Sequence, residues 1–78
     1  MLKVAYPGRL SEVGAQYVAE GQWRLVNKTV DDGDASGLLG FVERVGPAYE
    51  VLLLERPADR HRVGSLREAR ALLVERGE

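Results

Sequence analysis

The chain has 78 residues with a net charge of −1, 45% apolar residues and no cysteine; a length of this order supports one core and buries roughly 60% of the unfolded chain's surface. The absence of cysteine excludes disulfide staples and thiolate metal centres, and near-neutrality removes any general attraction to nucleic acid or anionic membrane. The longest apolar runs, such as Val51-Leu52-Leu53-Leu54, fall far short of the roughly 20 residues that cross a bilayer, and the N-terminus carries no signal-peptide core, so a cytoplasmic protein is expected.

Residues 1–21 admit two readings. Leu2 to Tyr6 suits a short strand ended by Pro7-Gly8, after which Leu10, Val13, Tyr17 and Val18 fit helical spacing, with Ser11 as N-cap and Gly21 as stop. Gly14 weakens that helix by about 1 kcal/mol relative to alanine. The competing reading makes Ala15 to Ala19 a strand turning at Glu20-Gly21 into the next one; the helical reading is the one favoured here.

An antiparallel sheet is expected over residues 22–64. Trp23 to Val30 reads as a strand with Trp23 and Leu25 on one face and Arg24, Val26 and Lys28 on the other. Asp31 to Gly37 is a loop. Leu39 to Val45 and Tyr49 to Leu54 flank Gly46-Pro47, where glycine as the first loop residue suits a tight II′-like turn. Within the second of these strands Tyr49, Val51 and Leu53 share a face, yet Leu52 and Leu54 make the opposite face apolar too, so cover on both sides is expected. Pro57-Ala58-Asp59 then makes a turn, and Arg60 to Val63 a short edge strand.

The clearest element is a helix over residues 65–77. Leu66, Ala69, Leu72 and Leu73 form one apolar stripe, Ser65 and Glu68 form an S-x-x-E capping box, and Gly77 offers a left-handed stop. The expected fold is therefore α+β: an antiparallel sheet of three to four strands, a C-terminal helix packed on one face, and a short N-terminal helix.

Four features could carry chemistry. Asp32, Asp34, Ser36 and Glu43 stand at the spacing of a calcium loop, which needs oxygen donors at alternate positions, a glycine bend and a final bidentate glutamate. Strand-like flanks and Gly46-Pro47 argue instead for a polar hairpin loop, so no metal or cofactor is expected. Arg56, Arg60, Arg62, Arg67 and Arg70 gather around the helix start, where guanidinium groups could clamp phosphates; seven arginines face seven acidic residues between positions 38 and 78, which favours a solvated, ion-paired surface. Trp23 could stack on a base but reads more simply as a core anchor. Finally, His61 stands without a cysteine to activate, and Ser11, Ser36 and Ser65 are explained by caps and turns, so neither an enzyme nor a small-molecule substrate is expected.

Gly21-Gln22-Trp23-Arg24-Leu25 and Ser65-Leu66-Arg67-Glu68-Ala69 resemble the N-terminal arm-binding domain of tyrosine-type phage and transposon integrases. In that family a G-x-W strand opens a three-stranded sheet, and a helix beginning near an S/T-x-x-E-A pattern packs across its back. The resemblance implies a sheet face presented to the DNA major groove, with Arg24, Lys28 and Arg44 as contacts. From the residues themselves, the leading expectation is a protein-interaction module, binding a partner or forming a homodimer through the sheet face opposite the helix, with Leu52, Leu54 and Arg44 in the interface. DNA binding is the alternative.

Overall fold

The computed structural model describes residues 6–31 and 33–74. A 3-10 turn at Leu10–Glu12 leads into strands β1 (Val13–Ala19) and β2 (Gln22–Asn27). A second 3-10 turn, Ala35–Gly37, precedes β3 (Leu38–Val45), β4 (Ala48–Leu53) and β5 (Arg56–Val63), and helix α1 (Leu66–Ala71) follows. The strands pair in chain order, β1-β2-β3-β4-β5, every neighbour antiparallel. The sheet thus has five strands rather than three to four, with one short C-terminal helix.

The additional strand is β1, where the helical reading of Leu10, Val13, Tyr17 and Val18 is overturned. Gly14 shows why: its missing Cβ would lie only 3.1–3.2 Å from the side chains of Lys28 and Val26, so on this strand the glycine makes room for a neighbour instead of weakening a helix. Val13, Ala15 and Tyr17 oppose Asn27, Leu25 and Trp23 and share their face. The turn into β2 needs Gly21 at φ +74°, a conformation a Cβ disfavours.

β2 ends at Asn27, earlier than expected, because the buried Asn27 side chain takes over the turn. Its Oδ1 accepts from the Thr29 N–H at 2.9 Å and the Thr29 hydroxyl at 2.6 Å. Gly46, at φ +60°, makes the tight β3–β4 turn. The β4–β5 turn falls at Leu54-Glu55, ahead of its expected place. Residues 57–59 are instead the excess of a large bulge, since Leu52 pairs with Arg60 while Leu53 pairs with Arg56.

The core lies on the face toward α1 and comprises Val13, Leu25, Leu39, Val42, Val51, Ala69 and Leu73. Full burial of Leu25, Leu39 and Leu73 is worth about 1.5–3 kcal/mol each. Leu39 reaches this core through a second bulge: Leu25 pairs with Gly40 and Val26 with Leu38, so Leu39 is the extra residue. Gly40 is buried where β3 and β4 approach closely, and a Cβ there would intrude on the Leu52 carbonyl oxygen. Because α1 touches β1 as well as β4 and β5, elements from opposite ends of the strand order, the sheet curls around the helix.

The capping box forms with one change of partner. Ser65 Oγ accepts from the Glu68 N–H at 3.1 Å, while the Glu68 carboxylate accepts from the N–H of Gly64 rather than that of Ser65. Past Ala71 the chain tightens, with Leu73 N–H donating to Arg70 O, and this brings Leu73 into the core. The helix thus ends at Ala71, short of the expected span to residue 77, and the expected stop at Gly77 itself lies outside the described residues.

Candidate interaction surface

Strand alternation divides the sheet's side chains between two faces. Val18, Gln22, Arg24, Val26, Phe41, Glu43, Glu50, Leu52, Arg60 and Arg62 stand on the outer face, away from α1. Among the described residues, no element packs across this face. At its centre Phe41 opposes Leu52 across β3 and β4, and with Val18 they line a hollow of about 320 Å³. Phe41 is 39% and Val18 53% exposed, high values for large apolar side chains that are neighbours.

The rim is charged, and its pairing is uneven. Glu43 stands directly opposite Glu50, an unfavourable cross-strand placement of like charges. Glu50 is compensated by Arg60 at 2.9 Å and Arg62 at 3.9 Å. Glu43 has no basic partner among the described residues. Further along the same face, Gln16, Arg24, Lys28, Asp34 and Leu38 line a shallow groove of about 450 Å³. Arg24 donates to the Gln16 side chain at 2.7 Å, and neither Arg24 nor Lys28 is ion-paired to a described carboxylate.

The residues expected at a partner interface separate. Leu52 is on the outer face and half-buried. Leu54 is not: the chain leaves β4 at Leu53, the Leu54 N–H donates to the Leu39 carbonyl at 3.1 Å, and the side chain packs on the core. Arg44 opposes Tyr49 and stands on the helix-side face, beyond the reach of α1, where it lines a hollow with Tyr17 and Trp23. Trp23 packs against the core and meets Tyr49 edge-on, ring centroids 5.7 Å apart.

The basic cluster is likewise dispersed. Arg60 and Arg62 share the outer face with Arg24 and Lys28, Arg56 begins β5, and Arg67 is exposed on α1. Arg70 is committed elsewhere, its guanidinium donating to the carbonyls of Val13 at 2.9 Å and Leu10 at 3.0 Å. It therefore ties α1 to the start of β1 and is not a phosphate ligand.

The calcium-loop residues do not converge. Asp34 accepts from the N–H and hydroxyl of Ser36, at 2.9 and 2.8 Å, and these bonds hold its carboxyl below the usual aspartate range. Glu43 sits within β3 on the outer face, and strands, not helices, flank the loop. Asp32 lies outside the described residues. Among the described residues no group of three or more His, Asp or Glu side chains could hold a metal ion, and no helix is long and apolar enough to cross a membrane.

Phe41 and Val18 line this hollow although neither is among the interface residues expected from the sequence, which reads Phe41 as a core aromatic and Val18 as part of a helical stripe. Phe41 could have been found from the alternation of Phe41 and Glu43 against Val42. Val18 was hidden by the helical spacing of its segment. Comparison with protein-family models gave no match, and neither the curated proteins nor the solved structures include a match to this chain.

Proposed function

We propose that this chain is a non-enzymatic protein-interaction module whose binding surface is the outer face of the sheet. The observation that carries the reading is the Phe41, Leu52 and Val18 hollow on a face no described element covers. The uncompensated Glu43 beside it defines the partner further: a segment with an aliphatic or aromatic anchor and an adjacent Lys or Arg. The anchor fills the hollow, and the cation relieves the Glu43–Glu50 opposition. Panning a random peptide library on the protein tests this. Enriched peptides should pair an apolar anchor with a basic neighbour, lose about tenfold in affinity to Phe41→Asp, equivalent to about 1.4 kcal/mol, and lose less to Glu43→Gln. Enriched peptides indifferent to Phe41→Asp would reject the surface.

One observation favours a second reading, DNA binding in the manner of the integrase arm domain. Arg24 and Lys28, two of the residues that resemblance designates, stand together on the outer face without carboxylate partners among the described residues. Arg44, the third, is on the opposite face. Duplex binding followed by fluorescence anisotropy should then be salt-dependent and weakened by Arg24→Ala and Lys28→Ala. Unchanged anisotropy at low salt excludes it.

A further inference from the structure

The two edges of the sheet are built differently. β5 is guarded by Arg56, Pro57, Asp59, Arg60 and Arg62 and by its large bulge, devices that discourage pairing with another strand. β1 reads Val-Gly-Ala-Gln-Tyr-Val-Ala, without a charge or a proline; its own bulge is a single extra residue, Val18, near its end, and its Tyr17 is 70% exposed. It pairs only with β2 among the described strands.

The hydrogen-bond pattern shows which groups this edge offers. Lys28 N–H donates to the Glu12 carbonyl at 2.7 Å, so Glu12, just ahead of β1, bonds inward toward β2. By antiparallel alternation Gly14 and Gln16 also bond inward, while Val13, Ala15 and Tyr17 direct N–H and C=O outward. The Val13 carbonyl confirms the phase, because Arg70 reaches it from outside β2. Ala15 and Tyr17 carry the next outward groups.

We infer that β1 is a homodimerisation edge, pairing antiparallel with β1 of a second copy about a two-fold axis through Gln16. This register sets Ala15 opposite Tyr17 of the second copy and Tyr17 opposite its Ala15, each pair exchanging N–H···O bonds through outward groups. It also places large side chains over small ones, Tyr17 over Ala15 on the helix side and Val18 beside Gly14 on the outer side. Sliding one way brings Tyr17 against Val13, whose carbonyl Arg70 already holds, and leaves only the Ala15–Ala15 pair unobstructed, against two unobstructed pairs in the register through Gln16. Sliding the other way sets the two Tyr17 rings against each other. A second copy meets both requirements, matching the outward groups and the alternation of large and small residues. The outer faces of both copies then lie on the same side of one continuous sheet.

The chain's lack of cysteine permits a direct test. At the axis the two Gln16 residues form a non-hydrogen-bonded pair, with Cα atoms about 4.5 Å apart, within the range of a disulfide. Gln16→Cys should be oxidised to a covalent dimer under mild conditions, whereas Arg67→Cys should not. In sedimentation velocity the unmodified chain should show a concentration-dependent dimer that Gln16→Lys abolishes by setting two cations on the axis, with circular dichroism unchanged. The dimer should survive Phe41→Asp, so failure here is distinguishable from failure of the outer-face reading. A monomer at every concentration, a dimer that Phe41→Asp removes, or a Gln16→Cys chain no faster to cross-link than Arg67→Cys would overturn the inference.

Discussion

Replacing Gly40 with alanine tests the close approach of β3 to β4 on which both the core and the outer face depend. The new Cβ would intrude on the Leu52 carbonyl oxygen and lie 3.4 Å from the Leu52 carbonyl carbon and the Leu53 Cα. All of these are backbone atoms, so relief requires the strands to part. Overpacking of this kind costs about 1–3 kcal/mol, and the rigid Leu52 backbone places Gly40 at the upper end. Alanine recovers about 0.5–1 kcal/mol of the conformational entropy that glycine loses on folding. The net loss is about 2 kcal/mol from a total of roughly 4–12 kcal/mol for a chain of this length. With a urea dependence of about 1 kcal/mol/M for so small a protein, the midpoint should fall by about 2 M. Gly8→Ala, where the added Cβ meets nothing within 4 Å, is the matched control and should stay within about 0.5 kcal/mol of the unmodified chain. A Gly40→Ala midpoint at or above that of the unmodified chain would refute the reasoning.

Arg70→Met should cost about 2–3 kcal/mol, because it leaves the Leu10 and Val13 carbonyls without their charged donor; urea unfolding measures the loss, which a surface ion-pair role would not produce. Ser65→Ala should cost about 1 kcal/mol through the lost N-cap, read as a drop in thermal midpoint. The Tyr6 phenol is pushed up to about 12, first by desolvation and then by its hydrogen bond to Glu55 and that carboxylate's charge. Its folded value lies above the free phenol's 10.0, so the neutral form stabilises the fold below pH 10, and this contribution fades as pH rises from 10 toward 12. The absorbance difference between the unmodified chain and Tyr6→Phe should titrate near pH 12 and shift downward in Glu55→Gln.

The elements easiest to read in the sequence were those whose signals are local. Ser65 and Glu68 mark the helix start through side-chain chemistry confined to one turn, and Gly46 marks a turn through its own backbone freedom. The segment containing β1 is ambiguous because Leu10, on a 3-10 turn, and the buried Val13, on a strand, belong to different structures yet fall at the spacing of one helical stripe. Its true alternation, Val13, Ala15 and Tyr17, is diluted by the small alanine. β5 is longer than its propensities suggest because Pro57 and Asp59, poor strand residues, fall in the bulge at an edge, where residues 57–59 have no register partner on β4 and cost the ladder little. Leu52 and Leu54 looked like one face because the turn that separates them follows Leu53. Bulges cannot be read from alternation alone, since each reverses the phase of everything after it. Alternation places Leu52 and Arg24 on the outer face, where they stand, whereas Leu54 leaves that face because β4 ends at Leu53, and Arg44, two residues on from Val42 in an unbroken ladder, shares Val42's face.

The tie between Arg70 and the start of β1 also bears on how the chain folds. Each strand pairs with its immediate successor, so the ladder can zip through short hairpins, whereas Arg70 joins positions 57 and 60 residues apart in sequence. Docking of the helix end is therefore expected late, after the rate-limiting barrier. Substitutions at Arg70 should leave refolding in water nearly unchanged and appear almost wholly as faster unfolding, a split that a chevron plot separates. On this expectation, the clasp that closes the sheet around its helix governs the lifetime of the native state rather than the speed of reaching it.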